Sequence, residues 1–193
     1  GVFADGEALA AEVESTEAGF AVTLAEPIRR SELVELRFAG TVFVDATRFD
    51  AFIADSRAGA LARQRVDAGD ANAEVESSTT VVRLPVGQQL LANVSMGPHV
   101  FSPNADGIND ALRVEFDLVN VLAPRRIGLR IYDLAGRLVW VGEEAGQAGS
   151  RALVWDGRGA GGVRVVPGIY VAELRIDGDE GSQARRRVIS VVY

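Results

Sequence analysis

The sequence predicts an all-β protein made of two tandem β-sandwich domains, residues 1–96 and 97–193. Two observations predict this class. Short runs in which apolar and polar residues alternate recur along all 193 residues, as they do in strands that bury one face. Glycine- and aspartate-rich turns separate these runs, and the longer periodicity of helices is missing. A chain of this length can hold one large or two small domains.

The first half alternates most clearly in the run 33–38, which is followed at Gly40 by a predicted bulge or tight turn. Residues 49–56 fit a helix or a strand, and we favour a strand. Residues 67–72 have the composition of a turn. The predicted strands of this half are 9–15, 19–25, 33–39, 41–46, 49–55, 62–67, 80–85 and 88–95.

The second half contains a predicted β-hairpin at 126–141. Ile127, Leu129 and Ile131 lie on one face of its first strand, and residues 133–136 form its turn. Short antiparallel strands joined by turns at this spacing are typical of a β-sandwich. The predicted strands of this half are 111–118, 126–132, 137–143, 151–155, 169–176 and 184–192.

Composition narrows the range of functions. The formal net charge of −7 argues against binding to nucleic acid or to an anionic membrane surface. Cysteine is absent, which excludes disulfide bonds and cysteine-ligated zinc. No apolar run is long enough to span a bilayer, so no transmembrane segment is expected. Residues 1–5 do not read as a signal peptide, and for an exported protein we expect the targeting segment to lie outside these residues.

Four phrases of the second half occur together in one known group of domains. Residues 101–110 read Phe-Ser-Pro-Asn-Ala-Asp-Gly-Ile-Asn-Asp, and residues 131–139 read Ile-Tyr-Asp-Leu-Ala-Gly-Arg-Leu-Val. Residues 155–158 read Trp-Asp-Gly-Arg, and residues 166–170 read Val-Pro-Gly-Ile-Tyr. In this order the phrases resemble the FlgD-like immunoglobulin-like domain and the related C-terminal sorting domains of type IX secretion substrates and gliding-motility proteins.

This resemblance covers residues 99–193 and implies an immunoglobulin-like sandwich there. The first half looks like a β-domain of the kind that precedes such modules in large exported proteins, so both tandem sandwiches are expected to be immunoglobulin-like. One departure is Ala105, where the group usually has glycine. An alanine there is expected to avoid left-handed backbone geometry, so the loop should differ slightly from that of the group.

The loop 101–110 also has the spacing of a calcium-binding loop. Oxygen-bearing side chains recur at every second position before Gly107, and oxygens placed in this way can surround a hard cation. The twelfth position of the loop is Arg113 rather than a bidentate glutamate, which excludes a complete EF-hand. The predicted Ca²⁺ ligands are the side chains of Ser102, Asn104, Asp106 and Asp110 and the carbonyl group of Ile108.

A ligand from elsewhere in the domain would complete such a partial site, and Glu115, Asp117 and Asp156 are the candidates. The alternative is that the polar side chains of the loop form Asx- and Ser-turns, which bind the loop's own backbone. Proline and glycine at the neighbouring positions fit both interpretations. The sequence therefore leaves calcium binding and self-capping open.

The other groups of residues that could form a functional site fit a structural role better than a catalytic or binding role. His99 is the one histidine of the sequence and lacks the partners of a catalytic triad or a zinc site. The run Arg185–Arg187 fits a protected strand edge better than a binding patch, because Arg186 would face away from its two neighbours. Core packing fits better than a carbohydrate platform for three aromatic residues, Trp140, Trp155 and Tyr170.

We therefore expect a non-catalytic structural, attachment or sorting module of a secreted bacterial cell-surface protein, with Ca²⁺ as a stabilising cofactor. Its expected partners are other domains of the parent protein, other surface proteins, and copies of itself through edge strands, but not nucleic acid. Two alternatives stay open. One is a subunit of an extracellular filament or assembly, and the other is a carbohydrate- or protein-binding module attached to a secreted enzyme.

Overall fold

The computed structural model describes residues 1–16, 19–55, 63–69, 80–85, 87–179 and 181–193. Every regular element in these ranges is a β-strand, which confirms the predicted all-β class. These ranges contain no helix that is long and apolar enough to cross a membrane. The predicted strand 62–67 and the predicted turn 67–72 lie partly outside the described residues.

The strands are short in the first half of the chain and long in the second. In the described residues they are β1 Val2–Ala4, β2 Glu7–Ala8, β3 Ala11–Thr16, β4 Gly19–Leu24, β5 Val34–Leu36, β6 Ala46–Arg48, β7 Phe52–Ile53, β8 Gln64–Arg65, β9 Val81–Arg83, β10 Leu91–Gly97, β11 Val100–Phe101, β12 Leu112–Leu118, β13 Arg125–Asp133, β14 Leu138–Gly146, β15 Gly149–Trp155, β16 Gly168–Gly178 and β17 Gly181–Val191.

The chain divides into two compact units. Gly1–Thr41 and Arg48–Val81 form the N-terminal unit, and Val42–Thr47 and Val82–Tyr193 form the C-terminal unit. This division differs from the predicted boundary at residue 96. The reason is that β10 is hydrogen-bonded to β12, so the chain before residue 97 contributes a strand to the second unit.

The N-terminal unit has small sheets. Its described strands form one three-stranded sheet, β2-β1-β5, and the two-stranded pairs β3-β4 and β7-β8, while β6 pairs with β9. Three phenylalanine rings follow one another edge to face, with centroids 5.1 Å apart between Phe20 and Phe38 and 5.6 Å apart between Phe38 and Phe49. Among the described residues of this unit, the buried hydrophobic side chains are those of Val2 and Ala4. A complete first sandwich therefore stays a prediction.

The C-terminal unit consists of two sheets around one core. One sheet has the order β10-β12-β15 and the other has the order β11-β17-β16-β13-β14. All pairs in the two sheets are antiparallel except β11 with β17, which is parallel. The seven longer strands match predicted ones to within about three residues at each end, whereas β11, with two residues, is too short to show alternation and is not among the predicted strands.

Side chains from both sheets form this core because successive residues of a strand point to opposite faces. The predicted inward face of β13 is confirmed, since Ile127, Leu129 and Ile131 are fully buried. On average, burying one such side chain contributes about 1.5–3 kcal/mol. The buried hydrophobic residues of the central strands of the two sheets belong to one cluster: Leu112, Val114, Phe116 and Leu118 of β12, and Tyr170, Ala172, Leu174 and Ile176 of β16.

The segment 42–47 joins the C-terminal unit through Asn120. The backbone N–H of Asn120 donates to the carbonyl of Phe43 at 2.8 Å, and its side-chain oxygen accepts from the N–H of Asp45 at 2.7 Å. Asn120 adopts a φ of 57°, a left-handed conformation that asparagine tolerates better than most residues. Sequence alternation carries no signal for this long-range contact.

Candidate functional site

The four recognisable phrases meet around the indole ring of Trp155. Trp155 is fully buried, and its ring lies 5.4 Å from Phe101, 6.0 Å from Tyr170 and 6.5 Å from Trp140, measured between centroids. Its Nε1 donates a hydrogen bond to the carbonyl of Arg158 at 2.7 Å. Three of the four phrases supply Phe101, Trp155 and Tyr170, and Trp140 directly follows the fourth phrase, so the phrases identify a packing centre.

Gly157 fixes the contact between two of the phrases. Its φ is 76°, and a Cβ added there would lie 2.6 Å from Cγ of Pro103 and 3.4 Å from the ring of Phe101. No real side chain fits at such a separation, so the turn after Trp155 can pass the loop 101–110 only with a glycine. This explains why the phrase reads Trp-Asp-Gly.

Asp133 holds the turn of the predicted hairpin. Its Oδ1 accepts hydrogen bonds from the backbone N–H groups of Ala135 at 2.9 Å and Arg137 at 3.0 Å, and its Oδ2 accepts from Nε of Arg137 at 2.7 Å. These bonds, led by the backbone N–H of Arg137, stabilise the carboxylate and lower the pKa of Asp133 below its ordinary value of 3.8. The Tyr-Asp-x-x-Gly-Arg phrase is therefore a self-capped turn.

Two tyrosine hydroxyls close the chain around the phrase 166–170. The hydroxyl of Tyr170 donates to the carbonyl of Val166 at 2.7 Å, and the hydroxyl of Tyr193 donates to the carbonyl of Val165 at 2.6 Å. Burial raises the pKa of Tyr170. The expected core packing is confirmed for the buried side chains of Trp155 and Tyr170, and Trp140 is partly buried and packs against the same core.

The loop 101–110 binds its own backbone through three of the five predicted metal ligands, the side chains of Asn104, Asp106 and Asp110. Asn104 Oδ1 accepts from the N–H of Asp106 at 2.9 Å, and Asp106 Oδ1 accepts from the N–H of Ile108 at 2.8 Å. The two carboxylate oxygens of Asp110 accept from the N–H groups of Ala105 at 2.6 Å and Gly107 at 2.7 Å. The N–H of Ser102 closes the loop on the carbonyl of Asn109 at 2.9 Å. The Asx-turn interpretation thus describes the geometry.

Ala105 departs from what its side chain predicts. Its φ is 70°, which is the left-handed conformation. The expectation that Ala105 avoids this geometry is therefore wrong. Asp110 accepts hydrogen bonds from the N–H groups of Ala105 and Gly107, and these bonds offset a conformational cost of about 1–2 kcal/mol.

The carboxylates suggested as further metal ligands have other partners. Asp117 accepts from Asn93 Nδ2 at 2.7 Å and from Ser150 Oγ at 2.6 Å, Glu115 pairs with Arg113 at 2.7 Å, and Asp156 accepts from the N–H of Arg158 at 3.1 Å. Within the described ranges no group of three or more His, Cys, Asp or Glu side chains could hold a metal ion.

Calcium binding at the loop stays a prediction. Each ionised carboxylate offers about four lone-pair positions, and the bonds to the loop backbone use only some of those of Asp106 and Asp110. Hydrogen bonds from Asn104 Nδ2 and from the N–H of Ile108 lower the pKa of Asp106, so its carboxylate is charged at neutral pH. Charged oxygens are thus available, but the loop is also closed without an ion.

The arginine run lies on β17 as predicted. Arg186 pairs with the buried carboxylate of Glu173 at 2.5 Å, while Arg187 turns to the other face, where Nη1 donates to the carbonyl of Met96 at 3.2 Å and Nε donates to Nδ1 of His99 at 3.1 Å. Sequence reasoning missed the Glu173–Arg186 pair. The alternation of β16 places Glu173 on the face opposite to Leu174, and only the register with β17 brings Arg186 opposite Glu173.

The polar groups of the four phrases therefore have structural tasks. The side chains of Asp133, Asn104, Asp106 and Asp110 bind backbone N–H groups of nearby turns, and the Trp155 and Tyr170 side chains donate to nearby carbonyl groups. Together they hold the loops and turns between the strands β11 to β16. Any recognition by a partner then depends on this fold, because the groups that carry the sequence signature face inward or hold turns.

A known family matches this part of the chain. Residues 96–191 match the model of the CHU_C type IX secretion signal domain. The resemblance that the four phrases carry is thereby confirmed. A domain of this family is a signal for export to the cell surface or the extracellular space.

Three solved structures show a distant likeness to the chain. Dimeric latent PorU from Porphyromonas gingivalis is 18% identical over 60% of this chain and 11% of PorU, with a TM-score of 0.44. FlgD from P. aeruginosa is 23% identical over 42% of this chain and 61% of FlgD, with a TM-score of 0.35. PorZ, a surface component of the P. gingivalis type IX secretion system, is 21% identical over 52% of this chain and 12% of PorZ, with a TM-score of 0.34.

The chain thus spans about a tenth of the length of PorU and PorZ and less than two thirds of FlgD. Likeness at these scores carries no argument about function. No curated protein matches the chain.

Proposed function

We propose that the C-terminal unit is an immunoglobulin-like sorting domain, which directs a covalently attached protein through type IX secretion to the bacterial surface and takes no part in catalysis. The observation that carries this proposal is the match of residues 96–191 to the signal-domain family. The two-sheet core of the C-terminal unit supports the immunoglobulin-like assignment. The N-terminal unit is proposed to be a separate β-domain of the same exported protein.

The way the phrases are used supports recognition of a folded signal. The rings of Trp155, Phe101 and Tyr170 lie inside the domain, so a partner cannot read these side chains directly. Their role is to hold the surrounding loops in one arrangement, and rigid scaffolds that present loops are a common basis of binding sites. A sorting partner would accordingly distinguish the folded domain from an unfolded chain of the same sequence.

Export of a reporter tests the proposal. The whole chain, fused behind a periplasmic enzyme in a bacterium with a type IX system, is expected to bring that enzyme to the surface, where protease added to intact cells degrades it. The matched control is the same fusion in a strain that lacks the secretion machinery. Equal surface display in both strains, or a reporter that stays periplasmic although the chain is folded, would overturn the proposal.

A second arm separates folding from recognition. Trp155→Ala removes the central ring of the four phrases and is expected to abolish display together with cooperative thermal unfolding. Leu134→Ala changes a side chain that is 70% exposed at the tip of the hairpin turn, so the domain should stay folded. Display that survives Trp155→Ala in an unfolded domain would contradict recognition of the fold.

A further inference from the structure

One edge of the larger sheet in the C-terminal unit is open. The N–H of Ser190 on β17 donates to the carbonyl of His99 at 2.7 Å, so the backbone groups of even-numbered residues point to this edge. Strand geometry repeats every second residue, so the N–H and C=O groups of Ala184, Arg186 and Val188 point the same way. Among the described residues these groups have no backbone partner on that side.

This open edge carries positive charge on one face. Arg185 and Arg187 line a groove of about 510 Å³ between β17 and β10. Arg187 is held by the carbonyl of Met96. Arg185 donates to the carbonyl of Ala184 at 3.1 Å and has no carboxylate partner within the described part of the chain. A strand added at this edge would therefore place every second side chain beside these two guanidinium groups.

The N-terminal unit contains a strand with the complementary pattern. β3 carries Glu12 and Glu14, both exposed and without an ion pair to any described residue, and between them Val13 is 60% exposed. The N–H of Ala25 donates to the carbonyl of Ala10, so even-numbered residues of β3 face β4. The backbone groups of the odd-numbered residues, Val13 among them, point to an edge that no described residue covers.

The two edges match in antiparallel register. In this register Val13 lies opposite Arg186, residue 11 lies opposite residue 188 and residue 15 lies opposite residue 184. At each of these three pairs the outward-pointing N–H and C=O groups of the two strands face each other and can form hydrogen bonds. The same register sets Glu12 opposite Arg187 and Glu14 opposite Arg185. These are the pairs without backbone hydrogen bonds, in which the Cα atoms approach to about 4.5 Å and side chains are closest.

We propose that β3 of one copy of this chain adds as an antiparallel strand to the free edge of β17 in a second copy. The strand is six residues long, and the open stretch before β11 is of similar length. Backbone hydrogen bonds give this contact its strength, and the alternating carboxylates select its register. Because the two surfaces differ, the contact is heterologous, and repeated contacts build a head-to-tail oligomer, either a closed ring or an open chain.

This inference rests on the two strand edges and not on export, so it is tested with purified protein. Light scattering after gel filtration is expected to show a mass that rises with concentration above the 20.5 kDa of one chain. Arg185→Glu should weaken self-association on the order of tenfold through like-charge repulsion with Glu14. Arg126→Glu is the matched control, since it makes the same charge change on β13, away from the β17 edge, and should leave self-association unchanged.

A mixing experiment identifies the strands. Val13→Pro removes one edge-facing N–H from β3 while keeping its bonds to β4, and leaves the β17 edge intact. Arg185→Glu leaves β3 intact. At a concentration between the wild-type Kd and the weaker Kd of the variants, each variant alone is expected to be mainly a monomer. Their equimolar mixture should stop at a dimer, because both free ends of that dimer are weakened. Thermal unfolding of each variant checks that it is folded.

Several outcomes would overturn the proposal. One is a wild-type chain that stays monomeric at the highest soluble concentration. A second is undiminished association of folded Arg185→Glu, which would assign the contact to another surface. A third is a mixture of the two folded variants that stays monomeric. Binding of a peptide with the sequence 9–17 to the monomeric Val13→Pro variant, lost when its alternate amides are N-methylated, would support the backbone ladder.

Discussion

The two units of this chain have similar local patterns but differ in what their strands bury. In the C-terminal unit, strands of both sheets share one core, and residues such as Leu129 are fully buried. In the N-terminal unit, Phe52 and Ile53 form a described strand yet stay 60% and 61% exposed. Alternation therefore predicts a strand, but a strand becomes part of a stable domain only when a second layer covers its apolar face.

The largest expected effect contrasts the two units directly. Leu129→Ala should lower the free energy of unfolding by about 2–5 kcal/mol, because it leaves a cavity in the shared core. Phe52→Ala should change it by less than about 0.5 kcal/mol, because the ring is mostly exposed. Urea unfolding followed by far-ultraviolet circular dichroism, which reports on the strands of both units, measures both. Similar losses for the two variants would show that the N-terminal unit has a core of its own.

The next effect concerns the contact between two phrases. Gly157→Ala should cost about 2–4 kcal/mol, because a Cβ would both clash with Pro103 and sit in a left-handed conformation. Gly136→Ala is the matched control, since Gly136 has a φ of 80° but open space around it, and should cost only about 1–2 kcal/mol. If both substitutions lower the free energy of unfolding in urea by the same amount, close packing at Gly157 does not explain the glycine of the Trp-Asp-Gly phrase.

A smaller effect of opposite sign is expected in the loop 101–110. Ala105→Gly should stabilise the C-terminal unit by about 0.5–1 kcal/mol, because relief of the left-handed strain exceeds the added entropy of the unfolded chain. Ala123→Gly, at an exposed loop position, lacks this strain and should be neutral or destabilising. Differential scanning calorimetry compares the two, and a lower Tm for Ala105→Gly would contradict the strain.

Acid is expected to destabilise the turns of the C-terminal unit. The folded-state pKa values of Asp133 and Asp106 lie below their ordinary value of 3.8. Their stabilising bonds are therefore fully present above pH 3.8 and are lost as the pH falls through the lowered values. The urea midpoint should drop more steeply over that range for the wild type than for Asp133→Asn. If the urea midpoints of the two proteins fall equally with pH, the Asp133 carboxylate does not contribute to stability in this way.

The smallest effect, and the one that settles the calcium prediction, is the response of Tm to the ion. If the loop binds Ca²⁺, the ion should raise Tm because a ligand that prefers the folded state stabilises it. Asp110→Asn should abolish the rise, and Asp179→Asn, a carboxylate outside the loop, should keep it. Equal Tm in millimolar calcium and in EDTA would reject calcium and leave the loop as a self-capped turn.

The sequence by itself determined the local elements of this protein. Alternation located the long strands of the C-terminal unit to within a few residues, as for β12 at Leu112–Leu118, because each residue's face depends on its own position in the strand. The same pattern identified the buried face of β13 and the turn at Asp133. The four ordered phrases identified the family for the same reason, since each is a turn or packing signature written in consecutive residues.

Only the tertiary structure decided which elements belong together. The assignment of β10 to the second unit, the parallel β11 and the contact of Gly157 with Pro103 each join residues that are distant in sequence. Ala105 takes a conformation that its own side chain disfavours, because Asp110 holds the backbone around it. These features arise from long-range pairing and packing, which outweigh local preferences of about 1–2 kcal/mol per residue and leave no trace in the pattern of neighbouring residues.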